Sequence, residues 1–182
     1  STVFGGIAGD RMAAWVRAEG AWHAADEAAI TASIARHEAP FANAPASIEP
    51  IREALFDCMW EDVGILRTAE GLQRALATLD DLERQLDRVG VADGDRAFNL
   101  SWHDWLNLKS LIAVSRVIAT SALAREDSRG AHFREDHPDT GDLPGSTYIV
   151  VTQSGDSLTM RREPVRFTRV EPGQSILTDA SG

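Results

Sequence analysis

The densest run of groups able to do chemistry is Ser128-Arg129-Gly130-Ala131-His132-Phe133-Arg134-Glu135-Asp136-His137-Pro138. His132 and His137, with Glu135 and Asp136, offer the nitrogen and oxygen ligands a divalent metal takes. A five-residue histidine spacing does not put both rings on one helical face, and Arg129 and Arg134 oppose a bound cation. No metal site is expected. His132 beside carboxylates is also the pattern of an acid–base pair, since imidazole titrates near neutral pH. The third reading is structural: a helix ends here, Gly130 supplies a left-handed turn, Arg125 and Arg129 meet the exposed carbonyls, and ion pairs pin the loop. That reading is preferred, and no catalytic residue is assigned.

Other candidates carry less. Gly5-Gly6-x-x-Gly9 has the wrong spacing for a dinucleotide fingerprint and no strand precedes it in this chain. Three glycines within a helical pattern, each costing about 1 kcal/mol against alanine, point instead to close packing on a neighbour. Cys58 is the single cysteine, so neither an internal disulfide nor a multi-cysteine zinc site is available. Asp57 and Glu61 beside it raise a thiol pKa and disfavour a nucleophile. Trp15, Trp22, Trp60, Trp102 and Trp105 read as core or interface area more than as a base-stacking platform.

Helices must position these groups. Phe4, Ile7, Ala8, Met12 and Trp15 recur at helical steps between Val3 and Val16, and a short helix is expected from Ala24 to Arg36 before a linker containing Pro40 and Pro45. A helix starting after Ser47 carries Ile51, Leu55 and Met59 and stops near Arg67, where Thr68 caps the next. Leu72, Leu76, Leu79, Leu82, Leu86 and Val89 then form a leucine stripe that Gly90 ends. Ser101 to Asp104 resembles a capping box opening a helix with Trp105, Leu108, Ile112, Ser115, Ala119 and Ala122 on one face. Leu106, Leu111, Val114, Val117 and Ile118 make its other face apolar too, which calls for more neighbours than two bundle partners. After Pro138 the period becomes two: Thr147–Thr152, Ser154-Gly155-Asp156 and Leu158–Met160 read as a β-hairpin, with an extended stretch at Val165–Val170.

The 182 residues suffice for one domain with a sizeable core, and 43% hydrophobic with 25% charged residues excludes disorder and fibrous repeats. Eighteen basic against 28 acidic residues give a net charge of −10, which repels phosphate backbones and anionic lipid. Nucleic acid is not an expected partner. Charged residues break every apolar run before the ~18 residues of a membrane span, so no direct membrane insertion is expected and the chain reads as soluble. Nor does the N-terminus have the charged start and cleavage site of a secretory signal.

Val63-Gly64-Ile65-Leu66-Arg67-Thr68, Phe98-Asn99 and the run from Ala122 to Pro138 resemble, in order and spacing, the C-terminal region of the succinate dehydrogenase/fumarate reductase flavoprotein subunit. Ala131 is closer to that subunit than to L-aspartate oxidase, which tends to carry leucine there. Glu163-Pro164-Val165-Arg166-Phe167 is similar to the family's closing strand, and Ser1 to Gly9 to the last helix of the preceding FAD-binding domain. The resemblance implies a mainly α fold, a three-helix, spectrin-repeat-like bundle with a C-terminal β-hairpin. Residues 1–22 would be the terminal helix of an FAD-binding domain, 23–46 a short helix and linker, 47–130 the bundle, and 131–182 loop, hairpin and tail. It implies FAD in the full-length protein and none for this segment alone, because the family's nucleotide-binding glycines, substrate-binding histidine and catalytic arginines lie upstream. The segment by itself is expected to be inactive. Ser1 and Thr2 match a flavin-touching Asn-Ser-Leu motif, with threonine in place of leucine. Arg129, His132 and Arg134 match a bundle-end loop whose implied role is docking onto the flavin domain. The implied partners are the N-terminal FAD-binding domain and, where one exists, an iron–sulfur subunit; the implied location is cytoplasmic, at the inner face of a membrane through partner subunits. The alternatives are a stand-alone helical interaction module, or the same part of an L-aspartate oxidase or adenylylsulfate reductase α-subunit.

Overall fold

Leu72, Ala75, Leu79, Leu82 and Leu86 recur at alternating steps of three and four, as do Trp105, Leu108, Ile112, Ser115, Ala119 and Ala122; all are buried. That spacing keeps one side of each helix turned to the other along its whole length. The computed structural model, which describes residues 2–20, 24–155 and 157–174, forms its core on this seam. Two units divide between Glu38 and Ala39. The first holds α1 (Thr2–Glu19) and α2 (Glu27–Glu38). The second opens with a 3-10 turn at Ala39–Ala42 and continues through α3 (Glu49–Glu61), β1 (Leu66–Arg67), α4 (Ala69–Leu86), α5 (Leu100–Ala124), β2 (Phe133–Arg134), β3 (Thr147–Ser154) and β4 (Ser157–Pro164).

Helix α4 is the middle of the three-helix bundle, packed on both α3 and α5. Ile51, Leu55 and Cys58 give the α3 side of the core. Strands β3 and β4 pair antiparallel from Thr147↔Pro164 to Ser154↔Ser157, with Gly155 in left-handed backbone at the turn. The expected fold, a mainly α three-helix bundle followed by a β-hairpin, is therefore the observed one.

The boundaries differ for identifiable reasons. Helix α3 stops at Glu61 and not near Arg67, because the chain turns so tightly that a Cβ on Gly64 would strike the Trp60 carbonyl, and Leu66–Arg67 then pair in parallel with Phe133–Arg134. Helix α4 stops at Leu86, short of Val89, and the Trp105 indole N–H donates to the carbonyls of Leu86 and Val89, both at 3.1 Å. Gly90 has a different job from ending that helix: a Cβ there would collide with the Asn43 backbone, and its N–H donates to the Ala44 carbonyl at 2.9 Å. The segment read as a linker is thus bonded along residues 40–46 to the α4–α5 connection, and Phe41 meets Trp102 edge-on at 5.0 Å. Asn99, not Ser101, caps α5, its side chain accepting from the Trp102 N–H at 2.8 Å. Thr68 caps α4 as expected, accepting from Gly71 at 3.1 Å. Val165–Val170 forms no strand. Ser1, Trp22 and Asp156 lie outside the described residues.

Helix α5 is long and apolar enough, by length and composition, to cross a membrane, contrary to the expectation that no stretch qualifies. Its few charges are too sparse to offset the apolar mean. Those charges nonetheless define it as a bundle helix: Lys109 pairs with Glu83 and Asp87, and Arg116 with Asp80 and Glu83, all on or just after α4.

Candidate functional site

The loop after α5 is organised by Arg134, which is only 1% exposed. Its Nη1 donates to the carbonyls of Ala122, Leu123 and Arg125 at 3.0, 3.2 and 3.0 Å, the free acceptors at the C-terminal end of α5. Its Nε and Nη2 bind both oxygens of Asp136 at 2.7 and 2.8 Å, and Asp136 accepts in turn from the Ala69 N–H at the start of α4. A cation thus sits on one helix C-terminus and an anion on the next helix N-terminus, each where the helix dipole favours it. The Arg134 guanidinium, with the Ala69 N–H, holds the Asp136 carboxyl well below the usual carboxylate range.

The other loop arginines also face inward. Arg129 Nε donates to the Thr140 carbonyl at 2.7 Å, Nη1 to Ser146 Oγ at 2.6 Å and Nη2 to the Asp142 carbonyl at 3.0 Å, while Arg125 Nη2 reaches the Thr147 carbonyl at 2.9 Å. Arg162 of β4 donates to the Ala124 carbonyl at 2.7 Å. Two expectations are therefore corrected. The carbonyls of α5 are met by Arg134 and Arg162, not by Arg125 and Arg129, because the chain leaves α5 extended and folds back. Gly130, at φ +57°, turns a tight Arg129–His132 hairpin six residues beyond the helix end and does not cap it. Arg134, one of the three residues matched to the docking role, is enclosed by these bonds and offers no surface to a neighbour.

His132 stands apart. Arg67 Nη1 donates to its Nδ1 at 2.8 Å, which leaves the ring proton on Nε2, and Nε2 is enclosed by the chain itself. Burial lowers the His132 pKa; the Arg125 carbonyl opposes that shift, and the Arg67, Arg125 and Arg134 charges reinforce it. Sequence reasoning assigned no role to Arg67, 65 residues away, or to Asp136's capping of α4. Only the i, i+2 spacing of Arg134 and Asp136 on an extended segment could have signalled their pairing. Cys58 is a core residue whose thiol pKa is raised by burial and then by Asp62. Among the described residues no group of three or more metal-ligating side chains converges.

Beside this web of bonds is an apolar patch: Trp60, Ile65 and Leu66 are exposed next to Ala131, lining a groove of about 440 Å³ with Glu61 and Arg67. Residues 52–176 match the family model described as fumarate reductase flavoprotein C-term. The chain belongs to this family. It is 39% identical over 88 residues to an uncharacterized FAD-dependent oxidoreductase of Methanocaldococcus jannaschii, covering 48% of this chain and 15% of that protein. It is 31% identical over 130 residues to the fumarate reductase flavoprotein subunit of Mycobacterium tuberculosis, covering 71% of this chain and 22% of that one. Among solved structures, Mycobacterium smegmatis Sdh1 in complex with UQ1 superposes with a TM-score of 0.76 at 30% identity, over 85% of this chain and 27% of that chain. The chain thus spans about a fifth of the length of these curated relatives.

Gly5, Gly6 and Gly9 lie inside α1 with open space where a Cβ would stand, so they form no phosphate cradle. Thr2 is the first residue of α1, and Ser1 lies outside the described residues.

Proposed function

We propose that this domain is the C-terminal buttress of an FAD-dependent oxidoreductase of the succinate dehydrogenase/fumarate reductase type, and that it carries no catalytic residue of its own. The observation that carries this reading is the division at the bundle end: every arginine of the conspicuous loop is engaged inside, while Trp60, Ile65 and Leu66 stay exposed beside it. Large apolar side chains grouped around a rigid loop favour a surface that another domain covers. In this reading Arg129 and Arg134 are positioning residues, and His132 faces the neighbour. Thr2, with Ser1, touches the flavin from the start of α1. The partners are the upstream FAD-binding domain and, in complexes that have one, an iron–sulfur subunit; the assembly lies on the cytoplasmic face of a membrane through those subunits.

The test compares this chain with the same chain extended upstream through its natural reading frame, by flavin absorbance and succinate-dependent dye reduction. Flavin and turnover in the extended form alone are the expected result. Flavin binding or turnover by the 182-residue chain would overturn the buttress reading and return attention to Arg129–His137.

A further inference from the structure

Helix α5 carries two stripes of residues at steps of three and four. The first, from Trp105 to Ala122, is the buried seam. The second runs Leu100, His103, Asn107, Leu111, Val114 and Ile118, about a third of a turn round from the first, and all six are exposed. Its two polar members bond to each other, the Asn107 amide donating to His103 Nδ1 at 3.0 Å. Between Trp105 and Ala124 the helix has two charges, Lys109 and Arg116, and both are drawn to Glu83 on α4. The second stripe is thus uncharged along its length.

Each end of the stripe opens into an apolar groove. At Leu100 and His103 it joins one of about 350 Å³ lined also by Phe98, and at Ile118 one of about 430 Å³ lined also by Val117 and Ile149. Phe98 is wholly exposed in left-handed backbone (φ +57°), uncommon for a residue with a side chain, while Asn99 Nδ2 pins the loop to the Asp93 and Asp95 carbonyls at 2.8 and 2.7 Å. An aromatic side chain held out by a strained, bonded loop has the form of an interface anchor.

We propose that this stripe is a second seam, covered in the full-length protein by one helix of the upstream flavin-binding part laid along α5. This deepens the buttress reading and rests on it, on a surface separate from Trp60, Ile65 and Leu66. The period selects the shape of the occupant, because steps of three and four fit the ridges of another helix. The length of the relatives selects its source: the matched region is 15% of the Methanocaldococcus protein and 22% of the Mycobacterium tuberculosis subunit, and a tethered occupant acts at high effective concentration. Charge weighs against the other occupants, since a second copy would bring another −10 and an anionic lipid surface repels the same charge.

The experiment uses the chain extended upstream through its natural reading frame, with no other subunit present, and compares it with the 182-residue chain. Leu111→Cys and Val114→Cys place thiols on the stripe; Ala113→Cys places one between them on another exposed side of α5. Each is treated with a maleimide and read by peptide mapping, which keeps it apart from Cys58. In the extended, flavin-holding protein both stripe thiols should react at least about tenfold more slowly than the one at position 113, and in the 182-residue chain all three should react alike. Equal rates in a flavin-holding extended protein overturn the seam and leave the buttress reading standing. Equal slowing at position 113, slowing already present in the 182-residue chain, slowing that fades on dilution, or slowing only with phosphatidylglycerol vesicles also overturns it. Should one stripe variant fail to hold flavin, the other is read alone. A wild-type extended protein without flavin removes both the seam and the buttress reading.

Discussion

The α4–α5 seam and the bundle-end loop hold the same helices in place by opposite means. In the seam, Leu72, Ala75, Leu79, Leu86, Leu108, Ile112 and Ala119 are wholly buried, and stability is spread over many apolar contacts of similar size. In the loop, one guanidinium carries five hydrogen bonds that reach three carbonyls of the α5 end and, through Asp136, the first amide of α4. Distributed apolar packing tolerates loss anywhere in proportion to volume. A polar hub concentrates the consequence at one residue, because the carbonyls it leaves behind at the α5 end lose their donor together.

The largest effect should come from the seam. Leu108→Ala removes a fully buried side chain and should cost about 4 kcal/mol, read as a lowered urea midpoint of the whole transition. A loss under about 1 kcal/mol would mean the seam repacks and the contrast is false. Arg134→Met should cost somewhat less, about 3 kcal/mol, since it leaves the Ala122, Leu123 and Arg125 carbonyls at the enclosed end of α5 without their donor. Its signature differs more than its size. Hydrogen exchange should accelerate at the Ala69 and Glu135 amides, which depend on Asp136 and on the β1–β2 pairing, while the α4 and α5 seam amides keep their protection. Uniform loss of protection would show that the loop and the bundle are one cooperative unit.

The two regions were also unequally legible in the sequence. The seam face of α5 reads directly from its three-and-four steps, because periodicity reports which side of a helix is buried. In α4 the same stripe was read with Leu76 where Ala75 is the buried residue, a distinction of size that apolar patterning does not make. The loop was visible as a run of charged residues, yet the direction of each side chain was not: Arg134 and Arg129 look like surface cations until the chain's return path puts carbonyls around them. Arg67 meeting His132 across 65 residues has no local signal at all. The helix ends failed for a similar reason, since Gly90 answers to the Asn43 backbone in space and not to its place after a leucine stripe.

Acidification should separate the regions further. Folding lowers the Asp136 pKa, chiefly through the hydrogen bond from Arg134, so the folded protein binds fewer protons there than the unfolded chain. The associated stability is complete above the unfolded value of about 4 and is lost as pH falls through the folded value. Asp136→Asn should therefore be destabilising at pH 7 and nearly indistinguishable from wild type in strong acid, measured by urea midpoints across pH. Leu108→Ala should cost nearly the same across that range. A parallel pH profile for the two variants would place the acid response elsewhere.

The smallest effect tests the loop near neutral pH. Burial lowers the His132 pKa, so the folded state again binds fewer protons than the unfolded one, whose imidazole titrates at about 6.5. Protonation would also set a second donor against Arg67, with Arg125 and Arg134 adding repulsion. The stabilisation belonging to a neutral His132 is thus full above the unfolded pKa and fades as pH falls below it. His132→Asn should flatten the wild-type decline in urea midpoint between about pH 7 and 5, the interval in which an unperturbed imidazole gains its proton. An unchanged slope would assign the decline to other groups and would mean that Arg67 does not hold His132 in its neutral form.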